Sequence, residues 1–332
     1  MSIQSNFPAI KPTLLLDFAN VKALDPRITF TRASTATYID QFGAMQTAAS
    51  GVARFDHDPT TLESLGLLIE EQRTNLVLNS AALATQNVTV TAVAHTLSFY
   101  GTGTVTLSGV STSGPLVGTG AFPSRVTLTF TPTAGTLTLT VSGSVLLAQL
   151  EIGSFATSYI PTVASQVTRS ADGAVMTGTN FSSWFNAVQG TIYAEGYLNN
   201  PAAAGAQTRR LADINDGSNN NRIGFGRAFT ATDIRVQYTV SGTNINTTNG
   251  QTANSVFPSA KVAVAYKSAD YAFSPNSVAA TTSAAASVPV VNRLSIGNDF
   301  NTSANGSANG TIKKLAYYPL RCTNAQLQAL TS

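Results

Sequence analysis

Apolar and polar residues alternate along most of this chain with the two-residue period of a half-buried strand. The alternation is strictest at Val88-Thr89-Val90-Thr91, Val105-Thr106-Leu107, Val126-Thr127-Leu128-Thr129-Phe130 and Leu137-Thr138-Leu139-Thr140-Val141. In each run one face is aliphatic and the other is threonine, which predicts antiparallel strands with one side in a core and one in water. Breaks at Gly101, Gly103, Gly114-Pro115, Pro123 and Pro132 separate them. The more continuously apolar run Val145 to Ile152 predicts a buried closing strand, and Tyr159-Ile160-Pro161-Thr162 its exit linker.

Before this block, short strand-like runs alternate with turns: Leu14 to Phe18, Ile28 to Arg32, Ala36 to Asp40, and a hairpin from Ala53 to Glu70. After it, longer strands are predicted at Gly190–Leu198, Arg209–Asn215, Arg222–Arg227, Ile234–Val240, Lys261–Lys267, Arg293–Gly297 and Gly310–Tyr318. One helix is predicted, at the end of the sequence, with Thr323 or Asn324 as its cap and Leu327 and Leu330 on its buried side. A helical turn is expected near Ser182 to Phe185, and loops at 201–206, 241–256 and 275–287. The expected fold is all-β in three parts: a β-hairpin attachment module over 1–80, a middle antiparallel sandwich over 81–165 and a jelly-roll sandwich over 166–332.

Composition narrows the function. Only 11% of the 332 residues are charged, well below the usual quarter, so the polar face is built from hydroxyls and amides. A formal net charge of +3 and the absence of any basic run give no footprint for nucleic acid. The pairs Arg209-Arg210 and Lys313-Lys314 are expected at solvated strand positions. A single cysteine, Cys322, permits no internal disulfide. Neither an export signal nor an apolar run long enough to span a membrane is present in the sequence, so membrane insertion is not expected.

Two groups of segments resemble known families. Phe30-Thr31-Arg32-Ala33-Ser34-Thr35-Ala36-Thr37-Tyr38, Arg54-Phe55-Asp56-His57-Asp58-Pro59 and Gly66 to Leu76, with Ala148-Gln149-Leu150-Glu151-Ile152 through Thr162, resemble a module of bacteriophage tail fibre and head spike proteins. The segments Gly190 to Glu195, Val262 to Lys267, Leu294 to Gly297 and Gly310 to Leu320 resemble a concanavalin A-like, laminin-G-type lectin domain. The resemblance implies a virion component made in the host bacterial cytoplasm and released by lysis. It would assemble as a homo-oligomer, commonly a trimer, with other virion proteins as partners and a host surface glycan as ligand. An architectural role in capsid or tail, without receptor binding, is one alternative, and a glycan depolymerase is the other.

Sandwiches of this type also serve as glycan hydrolases, which need two carboxylates about 5–10 Å apart. No Glu-x-Asp-x-Glu alternation occurs, and Asp213 and Asp216 are the nearest pair in the last third, so no catalytic residues and no enzyme activity are expected. His57 is read as a turn residue and His95 as a strand-edge residue; with Cys322 they are too scattered for zinc. For glycan binding the candidates are Asp216, Asn219, Asn221, Arg222, Asp299 and Asn301, in two Asn-rich loops. Turn capping is the preferred reading of the Asp and Asn residues in these loops, and the rim calcium site that the lectin resemblance implies, at Asp213 and Asp216, is its alternative. Trp184, Tyr238, Tyr271 and Phe300 are the aromatics able to face a sugar, although strand aromatics ordinarily enter the core.

Overall fold

A computed structural model describes residues 7–198, 209–227, 233–252, 259–284, 287–300 and 306–332. The chain is nearly all β, as the periodicity predicts. Residues 86–152 form the middle sandwich. Its four-stranded sheet contains Gln86–Val90, Thr104–Gly109, Leu116–Val117 and Gly135–Ser142, and its three-stranded sheet Val126–Phe130, His95–Tyr100 and Leu146–Ile152. The aliphatic faces meet in a core of Val88, Leu97, Phe99, Val105, Leu107, Leu137, Leu139 and Leu150. His95 lies in the central strand of the three-stranded sheet, not at an edge, and is fully buried, with Nδ1 2.8 Å from the Val93 carbonyl.

The larger sandwich packs a seven-stranded sheet on an eight-stranded one. Gln189–Gly196, Ala260–Lys267 and Gly310–Tyr318 are central in the eight-stranded sheet; Arg209–Asn215 and Arg222–Arg227 are central in the other. Ile192, Val264, Tyr266, Phe273, Ile312 and Tyr317 face Ala212, Ile214, Ile223, Phe225, Val236 and Leu294 across the core. Trp184, Tyr238 and Tyr271 are in this core, as strand aromatics ordinarily are. The terminal helix Asn324–Leu330 carries a reciprocal capping box between Thr323 and Gln326 and buries Leu327. A shorter helix, Thr179–Ser182, sits one turn earlier than expected. The segment 241–256, expected as a loop, contains the strand Thr243–Thr252, which pairs with Asp233–Val240; 201–206 lies outside the described residues.

Residues 1–80, expected as a module of their own, are woven into the larger sandwich. Leu14–Asp17 and Ser64–Ile69 pair with successive parts of Gly310–Tyr318, and Phe55–His57 extends that sheet. Thr29–Thr31 pairs with Gly173–Thr177 at the edge of the other sheet. The chain leaves for the middle sandwich through Arg73–Asn75 and returns through Val167–Arg169, and these two strands pair with each other.

The phage-like segments converge at this junction. Asp172 accepts from Arg32 Nη1 at 3.1 Å, from Arg54 Nη2 and, at 2.9 Å, from the Glu70 amide. Glu70 is paired with Arg54 Nη1 at 2.8 Å and Arg169 Nη1 at 2.7 Å, and accepts from the Ser158 amide and hydroxyl. Glu71 is paired with Arg73 and with Arg209 Nη1 at 2.9 Å, while both guanidinium groups lie against the Phe155 ring. Asn75 fastens the exit linker, donating to the Ala148 and Ile160 carbonyls. Gly153, at φ +136°, leaves the space that Arg73 fills: a Cβ there would stand 1.7 Å from Nη1. Alanine at Gly153 is therefore expected to displace Arg73 from Glu71 and Phe155, lowering the urea midpoint; an unchanged midpoint would show that the contact is dispensable.

Candidate functional site

Of the glycan and calcium candidates, Asp213 and Arg222 fall on the outward face of the seven-stranded sheet, and Asp216, Asn219 and Asn221 in the turn that joins their strands. Register places Asp213 beside Gly224 and Gln237, and Asn215 beside Arg222 and Thr239, so these side chains share one face opposite the core. Arg222 is bonded to Asp213, Arg210 Nε is 3.8 Å from the same carboxylate oxygen, and Arg210 Nη2 donates to Gln237 Oε1 at 3.0 Å. The Arg222 guanidinium lies 5.7 Å from the Phe300 ring centre and donates to Asn219 Oδ1. Burial pushes the Asp213 carboxyl up, partly offset by Arg222 and Arg210. Burial, with repulsion from Arg222, brings Arg210 down to about 9.

The sequence thus singled out Asp213, Arg222 and Asp299 at one buried cluster but missed Arg210 and Gln237, because Arg209-Arg210 read as a solvated pair. Both arginines are buried. The cluster is closed: Arg210, Asp213, Arg222 and Asp299 are each at most 5% exposed. Asp213 faces two guanidinium groups, a neighbourhood that opposes a divalent cation. Asp216 instead caps its own turn, accepting from the Ser218 amide and hydroxyl and from Asn221 Nδ2. Asn221 Oδ1 accepts from the Ser241 amide. Asn301 lies outside the described residues. Among the described residues no three His, Cys, Asp or Glu side chains gather as metal ligands.

An open cavity of about 290 Å³ lies elsewhere, where the hairpin of Ala36–Ile39 and Met45–Ala48 meets the middle sandwich. Tyr100 and Phe122 form one wall, with ring centres 5.4 Å apart, and Phe155 and Tyr38 contribute to others. Arg125 lies 5.9 Å from the Tyr100 ring centre and is held by the Thr157 carbonyl at 2.6 Å and the Ser98 hydroxyl at 2.8 Å. Asp56 lines the cavity from the strand Phe55–His57, accepting from the Ile39 amide at 2.7 Å. No cation lies within 4 Å of it among the described residues. Burial and the nearby Glu70 charge raise the Asp56 carboxyl to about 6, against the opposing pull of the Ile39 amide and Arg54.

His57, expected in a turn, is a buried strand residue with Nδ1 3.1 Å from the Ile39 carbonyl. Sequence reasoning missed this cavity because its walls come from segments some 40–100 residues apart. The quoted segment Arg54 to Pro59 marked one wall, and nothing in the local pattern joined it to Tyr100 or Phe122.

No protein-family model and no curated protein sequence matches the chain. Among solved structures, it is similar to the CBM40 domain of Ruminococcus gnavus IT-sialidase bound to alpha2,3 sialyllactose, with 16% identity over 44% of this chain and 84% of that one, at a TM-score of 0.37. It is also similar to domain 4 of the Geobacillus stearothermophilus arabinanase AbnA in complex with arabinotriose (11%, 54% and 82%, TM-score 0.36). A third is Trypanosoma rangeli sialidase in complex with 2,3-difluorosialic acid (13%, 48% and 26%, TM-score 0.37).

Proposed function

We propose that this chain is a non-enzymatic virion fibre or spike component that adheres to host surface glycans, with the cavity beside Asp56 as its sugar-binding site. The observation that carries the reading is the combination of aromatic walls at Tyr100 and Phe122 with a carboxylate and a guanidinium on the same cavity. Rings cover the apolar face of a pyranose, and the charged groups bond its hydroxyls. The phage-like segments support the virion setting, since they build the junction that forms the cavity floor around Glu70 and Ser158. Many copies on one particle would turn weak single contacts into firm attachment.

A hydrolase would need two working carboxylates in this cavity, where Asp56 is raised while Glu70 and Asp58 are held down, Asp58 by the amides of its own turn. Glu70, however, has both oxygens committed to Ser158, Arg54 and Arg169. Glu70 is also only 4% exposed, which favours binding over cleavage.

A glycan array probed with the full chain tests the reading. Binding to at least one bacterial surface polysaccharide is expected, weakened about tenfold by Phe122→Ala with an unchanged urea midpoint. Absence of binding to any host polysaccharide would overturn it in favour of an architectural role. New reducing ends after long incubation would overturn the non-enzymatic part.

A further inference from the structure

Binding of a neutral sugar uses Asp56 as an acceptor for hydroxyls but leaves its want of an ion-pair partner among the described residues unexplained. Of the cavity's other charged wall groups, Glu70 is paired with Arg54 and Arg169, while Arg125 is anchored by the Thr157 carbonyl and the Ser98 hydroxyl and keeps a buried Nε without a hydrogen-bond partner among the described residues. Asp58 points into its own turn and accepts from the Thr60 and Thr61 amides. His57 is tied through Nδ1 to the Ile39 carbonyl. Asp56 is left half-buried with backbone amides alone, those of Ile39 and His57, as its hydrogen-bonding partners among the described residues, beside the Tyr100 and Phe122 rings. A carboxylate without a counter-ion in a partly desolvated pocket is destabilised, and a cation entering the pocket relieves it. Aromatic faces next to that carboxylate further favour an organic cation over a hydrated metal ion.

We infer that the cavity selects a sugar carrying a free amine, with the Asp56 carboxylate holding the ammonium group and the Tyr100 and Phe122 rings covering the sugar. This rests on the glycan-binding reading and names its ligand class. The preference for an amine depends on an ionised Asp56, so it weakens as pH falls through about 6. The groups facing Asp56 over this interval are His57, Glu70, Arg54 and Arg125, with Tyr38 and Tyr100 on the remaining walls.

The test is calorimetric titration of the full chain with a glucosamine oligomer, the N-acetylglucosamine oligomer of equal length and a neutral glucose oligomer, at pH 7.5 and pH 5. The glucosamine oligomer is expected to bind about tenfold or more tightly than the acetylated one at pH 7.5. The difference should shrink at pH 5, where the sugar amine is still charged, and should vanish in Asp56→Asn at both pH values. That variant keeps the side-chain oxygen that accepts from Ile39 and is expected to be at least as resistant to urea as the parent at pH 7.5. Equal affinity for the amine and acetylated oligomers would overturn the amine assignment and leave glycan binding standing. A preference that persists in Asp56→Asn would overturn the role of this carboxylate. No binding of any oligomer, together with a blank glycan array, would overturn both readings.

Discussion

Replacing Asp172 with alanine is expected to destabilise the folded chain by about 3–5 kcal/mol, the cost of stripping a buried ion pair of one partner. The side chain is fully buried and neutralises two guanidinium groups, Arg32 and Arg54, while also accepting from the Glu70 amide. Its loss would leave Arg32 without a carboxylate partner, Arg54 sharing Glu70 with Arg169, and the buried Glu70 amide without its acceptor. Urea unfolding followed by tryptophan fluorescence is a direct measure, because Trp184 lies in the core of the larger sandwich. Asp25→Ala is the matched control. Its pair with Arg27, at 2.7 Å, is partly exposed and should cost less than about 1 kcal/mol. Similar midpoints for the two variants would show that the junction is not held by its charges.

The second large effect is a loss of stability in acid. Burial alone would raise the Glu70 carboxyl, but Arg169 and Arg54, with the Ser158 hydroxyl and amide, overcome it and hold the group down at about 2. A carboxylate whose folded value lies below its unfolded value stabilises the fold above the unfolded value and loses that contribution as pH falls through the folded one. The window therefore runs from about pH 4.5 down to about pH 2, and a shift of this size corresponds to about 3 kcal/mol. Asp56 acts in the opposite sense. Its raised value makes ionisation costly to the fold, so stability from this group falls as pH rises from about 4 to about 6. Unfolding free energies measured from pH 7 to pH 2.5 should show both slopes. Glu70→Gln should be less stable at pH 7 and should have a shallower slope below pH 4.5; an unaltered acid slope would rule out Glu70 as its source.

Local pattern carried the strands well where each contributed one apolar face to a core. Arg222–Arg227 has the expected limits because its alternation is unbroken, and Arg209–Asn215 and Gly310–Tyr318 have them despite a register shift in each. It carried less where partners are distant. Thr243–Thr252 has an Asn- and Thr-rich sequence that reads as loop, and it becomes a strand by pairing with Asp233–Val240. The division at residue 80 also followed local pattern, whereas Leu14–Asp17 finds its partner some 300 residues away. At the candidate sites the difficulty was similar. Asp213 and Arg222 could be named from loop composition, but their relation to Arg210 depends on register across strands, and no periodicity encodes it. Nothing in the local pattern marks Asp172, because its three partners come from residues 32, 54 and 70.

The paired strands Arg73–Asn75 and Val167–Arg169 bring the two ends of the middle sandwich side by side. An arrangement of this kind makes the middle sandwich a cassette: one continuous stretch of gene encodes it, and its two ends meet at a single place on the host fold. Lengthening, shortening or exchanging that stretch would leave the strand order of both large sheets unchanged. The cavity, by contrast, takes Tyr100 and Phe122 from the cassette and Asp56 from its host. Exchange of the cassette would therefore renew half of the cavity wall at one stroke, and with it half of the proposed sugar-binding surface, while the supporting framework stays the same.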